Sequence, residues 1–379
     1  MRTAVVLGAA YDVVVAGGGP AGLAAAIVAA ERGASVLVVE RRALPPDKAC
    51  GEGLLPPAVR ALERLDVLKH LASDQARPFT GIRFVQEDDT AAELRLSGTR
   101  GLGVRRTALV EAMLRRAAEL GVVVAERTTV DAVAVDRAGA CVRLGTHDVR
   151  AELVIAADGL HSRLRRFAGL AAAPHPRRRF AVRRHYRIRP WTDLVEVHVD
   201  EAGEAVATPV ADDCVNVNVV WEHGGEPAAT TDVLAARFPA LARRLDGAPV
   251  ASTAHGAGPM AQRARRRTDE RLVLIGDAAG FVDSIAADGL SVAFNSALVL
   301  GERLPDILAH GATRASLAAY ERAARRLFVG YWAVTTGLLY IARHPGVRRK
   351  LIRYLAAHRN VGDAMMSGAM RLMLANVPA

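Results

Sequence analysis

Lysine is almost missing from this sequence of 379 residues. Only Lys48, Lys69 and Lys350 stand among the 50 basic residues, although the formal net charge is +10. Such a preference for arginine, beside so much alanine, is typical of a GC-rich genome, so we do not interpret the basic charge as a nucleic-acid signal. Aromatic residues make up 4% of the chain, too few for a platform on which bases stack. We therefore predict no nucleic-acid partner.

Cysteines and long apolar runs are scarce as well. Cys50, Cys141 and Cys214 form neither a disulfide framework nor a Cys-x-x-Cys metal motif. We therefore predict no metal site and a reducing, cytoplasmic location. The longest apolar candidate, residues 327–342, has 16 residues and includes Thr and Gly, which is short for a membrane span. The sequence predicts no transmembrane segment and no secretory leader.

Glycines follow the first predicted strand with the spacing Gly17-x-Gly19-x-x-Gly22. A valine run precedes them, and an alanine-rich helix and a second apolar strand ending at Glu40 follow. This order is the fingerprint of a dinucleotide site, where backbone N–H groups and a helix N-terminus hold a pyrophosphate. Glu40 would accept hydrogen bonds from a ribose and repel a 2′-phosphate, so NADP is not expected here. A glycine turn without a ligand is the alternative. It does not explain why an acidic residue, Glu40, stands at the end of the second strand, where the fingerprint has one.

Three later segments carry further motifs. They are residues 104–122, an amphipathic helix that opens with Arg106; residues 151–166, a strand that leads to Asp158-Gly159; and residues 271–304, a strand, a Gly276-Asp277 turn and a long helix from about Gly289. With the glycine loop, these motifs resemble the FAD-binding oxidoreductases of the para-hydroxybenzoate hydroxylase-like fold. That group includes aromatic hydroxylases, flavin-dependent halogenases and geranylgeranyl reductases. The resemblance covers about residues 11–330.

The resemblance implies which residues hold the FAD. The glycine loop would hold the pyrophosphate, Glu40 the adenosine ribose, Arg106 the phosphate or ribityl side, and Asp277 the ribityl chain. Asp158 serves both FAD and reduced nicotinamide in the hydroxylases, so NADH or NADPH is the expected electron donor. The implied FAD contacts are Gly17, Gly19, Pro20, Ala21, Gly22, Glu40, Arg41, Arg106, Asp158, Gly276, Asp277, Gly289 and Leu290.

The loop before that last helix departs from the family. Ser284 stands where many relatives have Pro, and Ala287-Asp288 replace the first Gly of a Gly-x-Gly and its neighbour. In the family this loop faces the isoalloxazine ring. The departures therefore predict either a retuned substrate pocket or a weaker flavin contact.

The loop DKACGEGLLPP, residues 47–57, carries the candidate catalytic residues. It resembles a motif of geranylgeranyl reductases in which the Cys lies near the isoalloxazine, and its glycines would let the backbone pass close to a flat ring. Glu52 would orient substrate or move a proton. Cys50 would do the same or pack as a small hydrophobe. Lys48 either acts there or is a solvated loop charge.

The segment 178–222 alternates like antiparallel strands, with Val195, Val197 and Val199 as one apolar series. It is interpreted as the mixed sheet that carries substrate in the family. The polar residues predicted to point inward are His185, Tyr186, His198 and Asn216. The alternative for each is an ordinary strand residue with its hydrogen bonds satisfied.

The predicted fold class is α/β, a Rossmann-like FAD-binding domain interrupted by a mixed antiparallel β-sheet substrate domain, with a helical C-terminal segment. The predicted parts are the FAD-binding domain at 11–80, 100–175 and 266–305, the substrate sheet at 81–99 and 176–265, and a helical cap at 306–379. The cap interpretation, in which the helices close a hydrophobic tunnel, is favoured. An interfacial helix whose Arg348, Arg349, Lys350 and Arg353 meet anionic lipid, and a dimer face, are the alternatives.

The favoured function is an FAD-dependent monooxygenase, a hydroxylase or epoxidase of secondary metabolism acting on a small apolar or aromatic molecule. A reductase or dehydrogenase of C=C bonds is the alternative. The CGEGL stretch favours the reductase, and the lack of the family's aromatic lipid-site motif disfavours it. A halogenase ranks third because no Trp-x-Trp-x-Ile-Pro segment occurs. A flavin-binding protein without turnover is the non-enzymatic alternative, and the oligomeric state stays open.

Overall fold

The computed structural model describes residues 7–176, 178–201, 203–222 and 237–374, with side chains up to Leu372. The helices are α1 Pro20–Glu31, α2 Pro56–Arg64, α3 Arg106–Glu119, α4 Arg163–Phe167, α5 Pro239–Leu245, α6 Gly289–Ala309, α7 Arg314–Arg343, α8 Pro345–Ala357 and α9 Arg359–Leu374. The break between α7 and α8 lies at the Pro345-Gly346 pair, because proline is favoured at the start of a helix and disrupts its interior. Among the described residues, no helix combines the length and apolarity needed to cross a bilayer.

The strands fall into two large sheets and two small ones. They are β1 Ala10–Ala16, β2 Val36–Glu40, β3 Gly53–Leu54, β4 Ala76–Phe79, β5 Gly81–Val85, β6 Ala91–Arg95, β7 Gly101–Val104, β8 Val123–Glu126, β9 Ala132–Asp136, β10 Gly139–Leu144, β11 His147–Ala156, β12 Arg179–Arg187, β13 Val195–Val199, β14 Gly203–Ala211, β15 Cys214–Glu222, β16 His255–Ala257, β17 Gln262–Arg263, β18 Thr268–Asp269, β19 Leu272–Leu274 and β20 Gly280–Phe281.

The first large sheet has the order β18-β19-β11-β1-β2-β8, with β10 and β9 attached in sequence to β11. Its centre is parallel, since Val14 of β1 lies opposite Val154 of β11 and Leu37 of β2. One face packs against α1, α3 and α6, and the other packs against residues that include Phe328 and Tyr331 of α7. Burial on both faces explains the uninterrupted valine run of β1.

The second large sheet has the order β16-β12-β15-β14-β13-β5-β6 and is antiparallel except for the β13–β5 pair. Helix α5 covers one face through Leu241 and Leu245. The other face packs against α8 and α9 through Ile352 and Met366. A parallel sheet between helices, a mixed sheet and a helical C-terminus confirm the predicted fold class.

Candidate active site

The glycine loop brings α1 close to β1 and β11. Gly17 has φ +117°, and an added Cβ there would lie 2.3 Å from the Ala157 carbonyl oxygen. An added Cβ at Gly22 would lie 1.9 Å from the Gly17 oxygen. Both distances are far inside van der Waals contact, so the helix can start here only with glycine at these positions. No described side chain caps α1, whose first-turn N–H groups and positive dipole end are therefore available to an anion.

A cavity of about 980 Å³ runs along this loop and continues between the second large sheet and the C-terminal helices. All the expected cofactor residues except Gly22 line it: Gly17, Gly19, Pro20, Ala21, Glu40, Arg41, Arg106, Asp158, Gly276, Asp277, Gly289 and Leu290. Gly22 lies behind the wall and allows the close packing of helix on loop. The candidate residues Lys48, Cys50 and Glu52 line the same cavity.

Glu40 is held rigidly at the end of β2. Its Oε2 accepts a hydrogen bond from the Gly18 N–H at 2.8 Å, and its Oε1 accepts one from the Arg42 N–H at 3.0 Å. A carboxylate oxygen can accept more than one hydrogen bond, so Glu40 can still accept hydrogen bonds from ribose hydroxyls.

Asp158 caps a short helix and still offers a free oxygen. Its Oδ2 accepts from the N–H groups of Arg163, at 2.7 Å, and Leu164, at 3.2 Å. Its Oδ1 is buried and has no hydrogen-bond partner within the described part of the chain. A buried acceptor of this kind is costly unless a ligand supplies a donor.

Arg165 joins the two aspartate motifs and was missed from the sequence. Its Nη1 donates to the carbonyl oxygens of Asp277, at 3.1 Å, and Ala278, at 3.0 Å, while Nη2 donates to Leu160 O at 2.8 Å. Only 2% of Arg165 is exposed. Nothing in the sequence separates it from its arginine neighbours, because its role depends on a contact between distant segments.

At the cofactor end of the cavity, the Asp277 carboxyl lies among cations. Burial raises the pKa of Asp277, and Arg106, Lys48 and Arg165 oppose that shift. Burial lowers the pKa of Lys48, and the neighbouring Arg106 lowers it further. An added Cβ at Gly19 would lie 3.5 Å from Arg106 Nη2, so the guanidinium lies beside the glycine loop. This end of the cavity suits a diphosphate.

Hydrogen bonds from the second large sheet and from within the loop hold the Cys50 loop in place. The Asn216 side-chain amide donates to the Cys50 carbonyl oxygen at 2.9 Å, and the Glu52 N–H donates to Cys50 Sγ at 3.4 Å. Burial raises the pKa of the Cys50 thiol. Cys50 therefore faces the cavity as a protonated thiol.

Glu52 connects this loop to α3 and β12. Its Oε1 accepts from the Arg106 N–H at 2.9 Å, at the start of α3, and its Oε2 lies 2.6 Å from His185 Nε2. His185 Nδ1 lies 3.1 Å from Arg183 Nη1, and a guanidinium only donates. Nδ1 therefore accepts, and Nε2 carries the proton that is donated to Glu52. Both Glu52 oxygens are engaged, and its backbone has φ +57°, so these contacts position the loop.

The four polar substrate candidates require a correction, since none of them lines the cavity. His185 and Asn216 face the cavity side but stand behind the Cys50 loop. Tyr186 packs on the opposite face of the sheet among residues that include Leu241. His198 also faces away, 3.3 Å from Glu196 Oε2, because its neighbours Val197 and Val199 line the cavity and strand side chains alternate. The polar residues that the wall does contain from this region include Thr208, Asn218 and His255.

Asp288, noted above as a departure from the family, lies in the cavity wall at the start of α6. It is 2% exposed, and its Oδ1 finds no hydrogen-bond donor in the described ranges. Burial raises the pKa of Asp288 to about 7. The preceding Ala287 has φ +51°, a left-handed conformation that costs roughly 1 kcal/mol for a residue with a side chain and that glycine adopts freely.

Residues 10–331 match the family model described as the FAD binding domain. This chain belongs to that FAD-binding family. It is 29% identical over 326 residues to digeranylgeranylglycerophospholipid reductase 1 of Methanopyrus kandleri, covering 81% of this chain and 83% of that protein. A shorter match, 55% over 60 residues, is to the menaquinone reductase of Mycolicibacterium smegmatis, covering 16% of this chain and 15% of that protein.

Solved structures share the fold of this FAD-binding chain. The halogenase PltM in complex with phloroglucinol and FAD aligns with a TM-score of 0.78 at 19% identity, over 96% of this chain and 85% of that one. A flavoprotein/dehydrogenase from Cytophaga hutchinsonii aligns with a TM-score of 0.77 at 20% identity, over 96% of both chains. Such identities establish the fold alone. The family model and the reductase relatives, together with this fold, make the chain an FAD-dependent oxidoreductase of the para-hydroxybenzoate hydroxylase-like and geranylgeranyl reductase-like superfamily, and the predicted resemblance is confirmed.

The residues present fit FAD. The glycine cradle and the uncapped start of α1 suit its pyrophosphate, and Glu40 suits a ribose. The free Asp158 Oδ1 is an acceptor without a partner among the described residues, and Asp277 lines the same wall. The individual contacts of these residues with FAD remain predictions.

Proposed function

We propose that this oxidoreductase is a reductase of isolated C=C bonds in a long apolar chain, with NADH or NADPH as electron donor. This is the alternative that the CGEGL stretch favoured, and we now prefer it to oxygen transfer. The observation that carries the proposal is the continuation of the cavity beyond the cofactor residues.

We call this continuation the apolar arm. Its walls include Val195, Val197 and Val199 of the sheet and Leu338, Ile352 and Met366 of the C-terminal helices. These six apolar side chains offer no hydrogen bonds, and they favour a ligand whose apolar surface leaves water on binding. A polyprenyl chain suits this arm better than a small aromatic ring. The relatives named as reductases of a digeranylgeranyl lipid and of menaquinone support the same substrate class.

Reduction of a C=C bond adds a hydride to one carbon and a proton to the other. FAD held along the glycine loop would supply the hydride when reduced, and the nicotinamide donor would provide the electrons that it gives up. We assign the proton to the Cys50 thiol, which lines the cavity and which burial keeps protonated. The resulting thiolate regains its proton from water. Glu52, through Arg106 N–H and His185, keeps the loop that carries Cys50 in place.

Oxygen transfer, the function that the sequence analysis favoured, is the second candidate. The observation that supports it is Asp158, which retains a free oxygen in the segment that the hydroxylases use for FAD and nicotinamide. Under this alternative the protein would hydroxylate or epoxidise the same apolar molecule.

One anaerobic experiment separates the two candidates. The FAD-loaded protein is reduced with NADH or NADPH and mixed with a geranylgeranyl lipid, without oxygen. We expect the flavin to be reoxidised and the product to gain two hydrogens by mass. If the flavin stays reduced until oxygen is admitted, and the product then gains an oxygen atom, the reductase proposal is wrong and the monooxygenase is correct.

A further inference from the structure

The positive charge of the chain is concentrated in its C-terminal helices. Residues 322–362 contain nine Arg or Lys and no Asp or Glu. The whole chain has a formal net charge of +10, so all other residues together contribute only +1. An arginine preference spread over the genome does not explain why the compensating carboxylates are missing from this one segment.

Exposed side chains follow one side of α7 at helical spacing. The outer α7 face consists of Arg322, Arg325, Arg326, Val329, Trp332 and Tyr340. Val329 is 59% exposed, Trp332 53% and Tyr340 56%, which is unusual for large apolar side chains. The face extends roughly 27 Å at the rise of an α-helix. Three arginines thus stand at one end of a row that carries two aromatic rings.

The opposite side of the same helix lines the apolar arm, through Val334, Leu338 and Ile341. On α9, Met365 both lines the cavity and is 44% exposed, so the cavity wall reaches the surface at the C-terminal helices. A partner on the outer α7 face would therefore be separated from the apolar arm by one helix.

Helix α8 contributes less free charge than the lipid-facing alternative of the sequence analysis requires. Arg348 is 1% exposed and donates to Glu87 and to the Asp200 carbonyl oxygen, so it is unable to meet lipid. Arg349 lies 3.7 Å from Glu201 and Arg353 lies 3.2 Å from Asp88, so carboxylates of the sheet region offset their charges. The free charge and exposed aromatics belong mainly to α7.

We propose that the outer α7 face docks the protein on an anionic lipid surface. Aromatic rings favour the boundary between headgroups and acyl chains, and arginines are attracted by anionic headgroups. The outer α7 face carries positive charge and no carboxylate. An anionic lipid surface therefore suits it as a partner better than a second copy of the same face, because two positive faces would repel each other. The proposal goes beyond the proposed reaction and holds for either reaction class, because its test measures binding without turnover.

The test uses the FAD-loaded full chain and sedimentation with two kinds of vesicle. One is pure phosphatidylcholine, and the other contains about one third anionic phosphatidylglycerol. We expect preferential binding to the anionic vesicles, weakened by salt. The double variant Arg325→Glu/Arg326→Glu is expected to lower that binding by about 10-fold or more. Trp332→Ala is expected to lower binding to both kinds.

Matched controls change equivalent side chains elsewhere. Arg60→Glu/Arg115→Glu makes the same charge change at exposed sites on α2 and α3, and Phe167→Ala removes an aromatic ring that is 60% exposed. We expect these variants to bind vesicles like the parent protein. If the control variants lost as much vesicle binding as the α7 variants, the binding would depend on general surface properties such as net charge. That result would overturn the proposal.

Two further outcomes would also overturn it. The first is a parent protein that binds neither vesicle at low salt. The second is a stable oligomer, measured by light scattering, that Trp332→Ala and the double Arg variant dissociate, since the face would then be an interface between copies of this chain.

Discussion

Burial favours the protonated form of two acids in the cavity wall. Burial raises the pKa of the Cys50 thiol, and burial raises that of the Asp288 carboxyl to about 7. Neither shift depends on a neighbouring anion as its main cause. A wall with neutral acids avoids the desolvation cost of charges beside an apolar ligand and keeps protons available for transfer.

The proton assigned to Cys50 leads to a first prediction. Cys50→Ala removes the donor and is expected to slow the reoxidation of reduced FAD by a polyprenyl substrate about 100-fold. Reduction of FAD by the nicotinamide should keep its rate, because that step needs no proton from Cys50. Anaerobic stopped-flow absorbance measures both steps. Cys141→Ala, at a half-buried position on β10, is the control. An unchanged rate of FAD reoxidation in Cys50→Ala would show that Cys50 does not supply the proton and only packs in the cavity wall.

Asp288 gives a prediction of pH dependence. Its folded-state pKa of about 7 lies above the ordinary 3.8, so between these values the folded chain holds a proton that the unfolded chain has lost. Stability from the neutral carboxyl is full below the lower value and is lost as the pH rises through about 7. Asp288→Asn should remove this loss. Its gain in unfolding free energy is expected to be about 2 kcal/mol larger at about pH 8 than at about pH 5.5.

Urea unfolding of the FAD-free chain at the two pH values measures this difference. Asp74→Asn, at an exposed position, is the control and should show no such pH dependence. An equal effect of Asp288→Asn at both pH values would mean that the folded state does not raise this pKa.

At the scale of elements, one buried cluster fastens the second large sheet to the loop after the Gly276-Asp277 turn. Arg179 of β12 donates through Nη1 to Asp283 at 2.7 Å and through Nη2 to Glu204 of β14. Burial raises the pKa of both carboxyl groups, and Arg179 opposes the shift. The loop that approaches the flavin region is thereby held by the substrate sheet.

Arg179→Met leaves two buried carboxyl groups without their cation. We expect a loss of about 3–5 kcal/mol in unfolding free energy, because an uncompensated buried charge is costly. Urea unfolding at neutral pH measures it. The exposed pair Arg143–Asp148 offers the control, where Arg143→Met should change the unfolding free energy far less, because solvent screens an exposed ion pair. A similar small loss at Arg179 would show that the cluster is already neutral.

Strands and helices could be predicted from the sequence where a single local pattern of residue types indicated the structure. The valine run, the glycine spacing and Glu40 predicted β1, α1 and β2, since each residue type has a local reason to be there. The direction of His198 was not predictable. All five residues of β13 are buried, so both faces of the strand look alike in sequence, and only tertiary packing decides which face meets the cavity. Arg165 was missed for the same reason.

At the scale of the whole molecule, the apolar arm joins three separate parts of the chain around one substrate space. Leu338→Trp fills the arm from its helical wall. We expect turnover of a geranylgeranyl substrate to fall by at least about 10-fold while FAD affinity stays unchanged, because the change removes apolar volume and no cofactor contact. Val329→Trp, on the outside of the same helix, is the control.

Steady-state assays with detergent-dispersed substrate and a flavin titration measure these two quantities. Normal turnover in Leu338→Trp would show that the substrate lies elsewhere. A matching loss in Val329→Trp would point to a general disturbance of α7.

The position of α7–α9 at the end of the sequence has a consequence for biosynthesis. The residues expected to hold FAD all precede Arg314, where the C-terminal helices begin. Chains emerge from the ribosome N-terminus first, and folding proceeds by units as they appear. All residues of the cradle from Gly17 to Leu290 are therefore synthesised before the helices that wall the apolar arm.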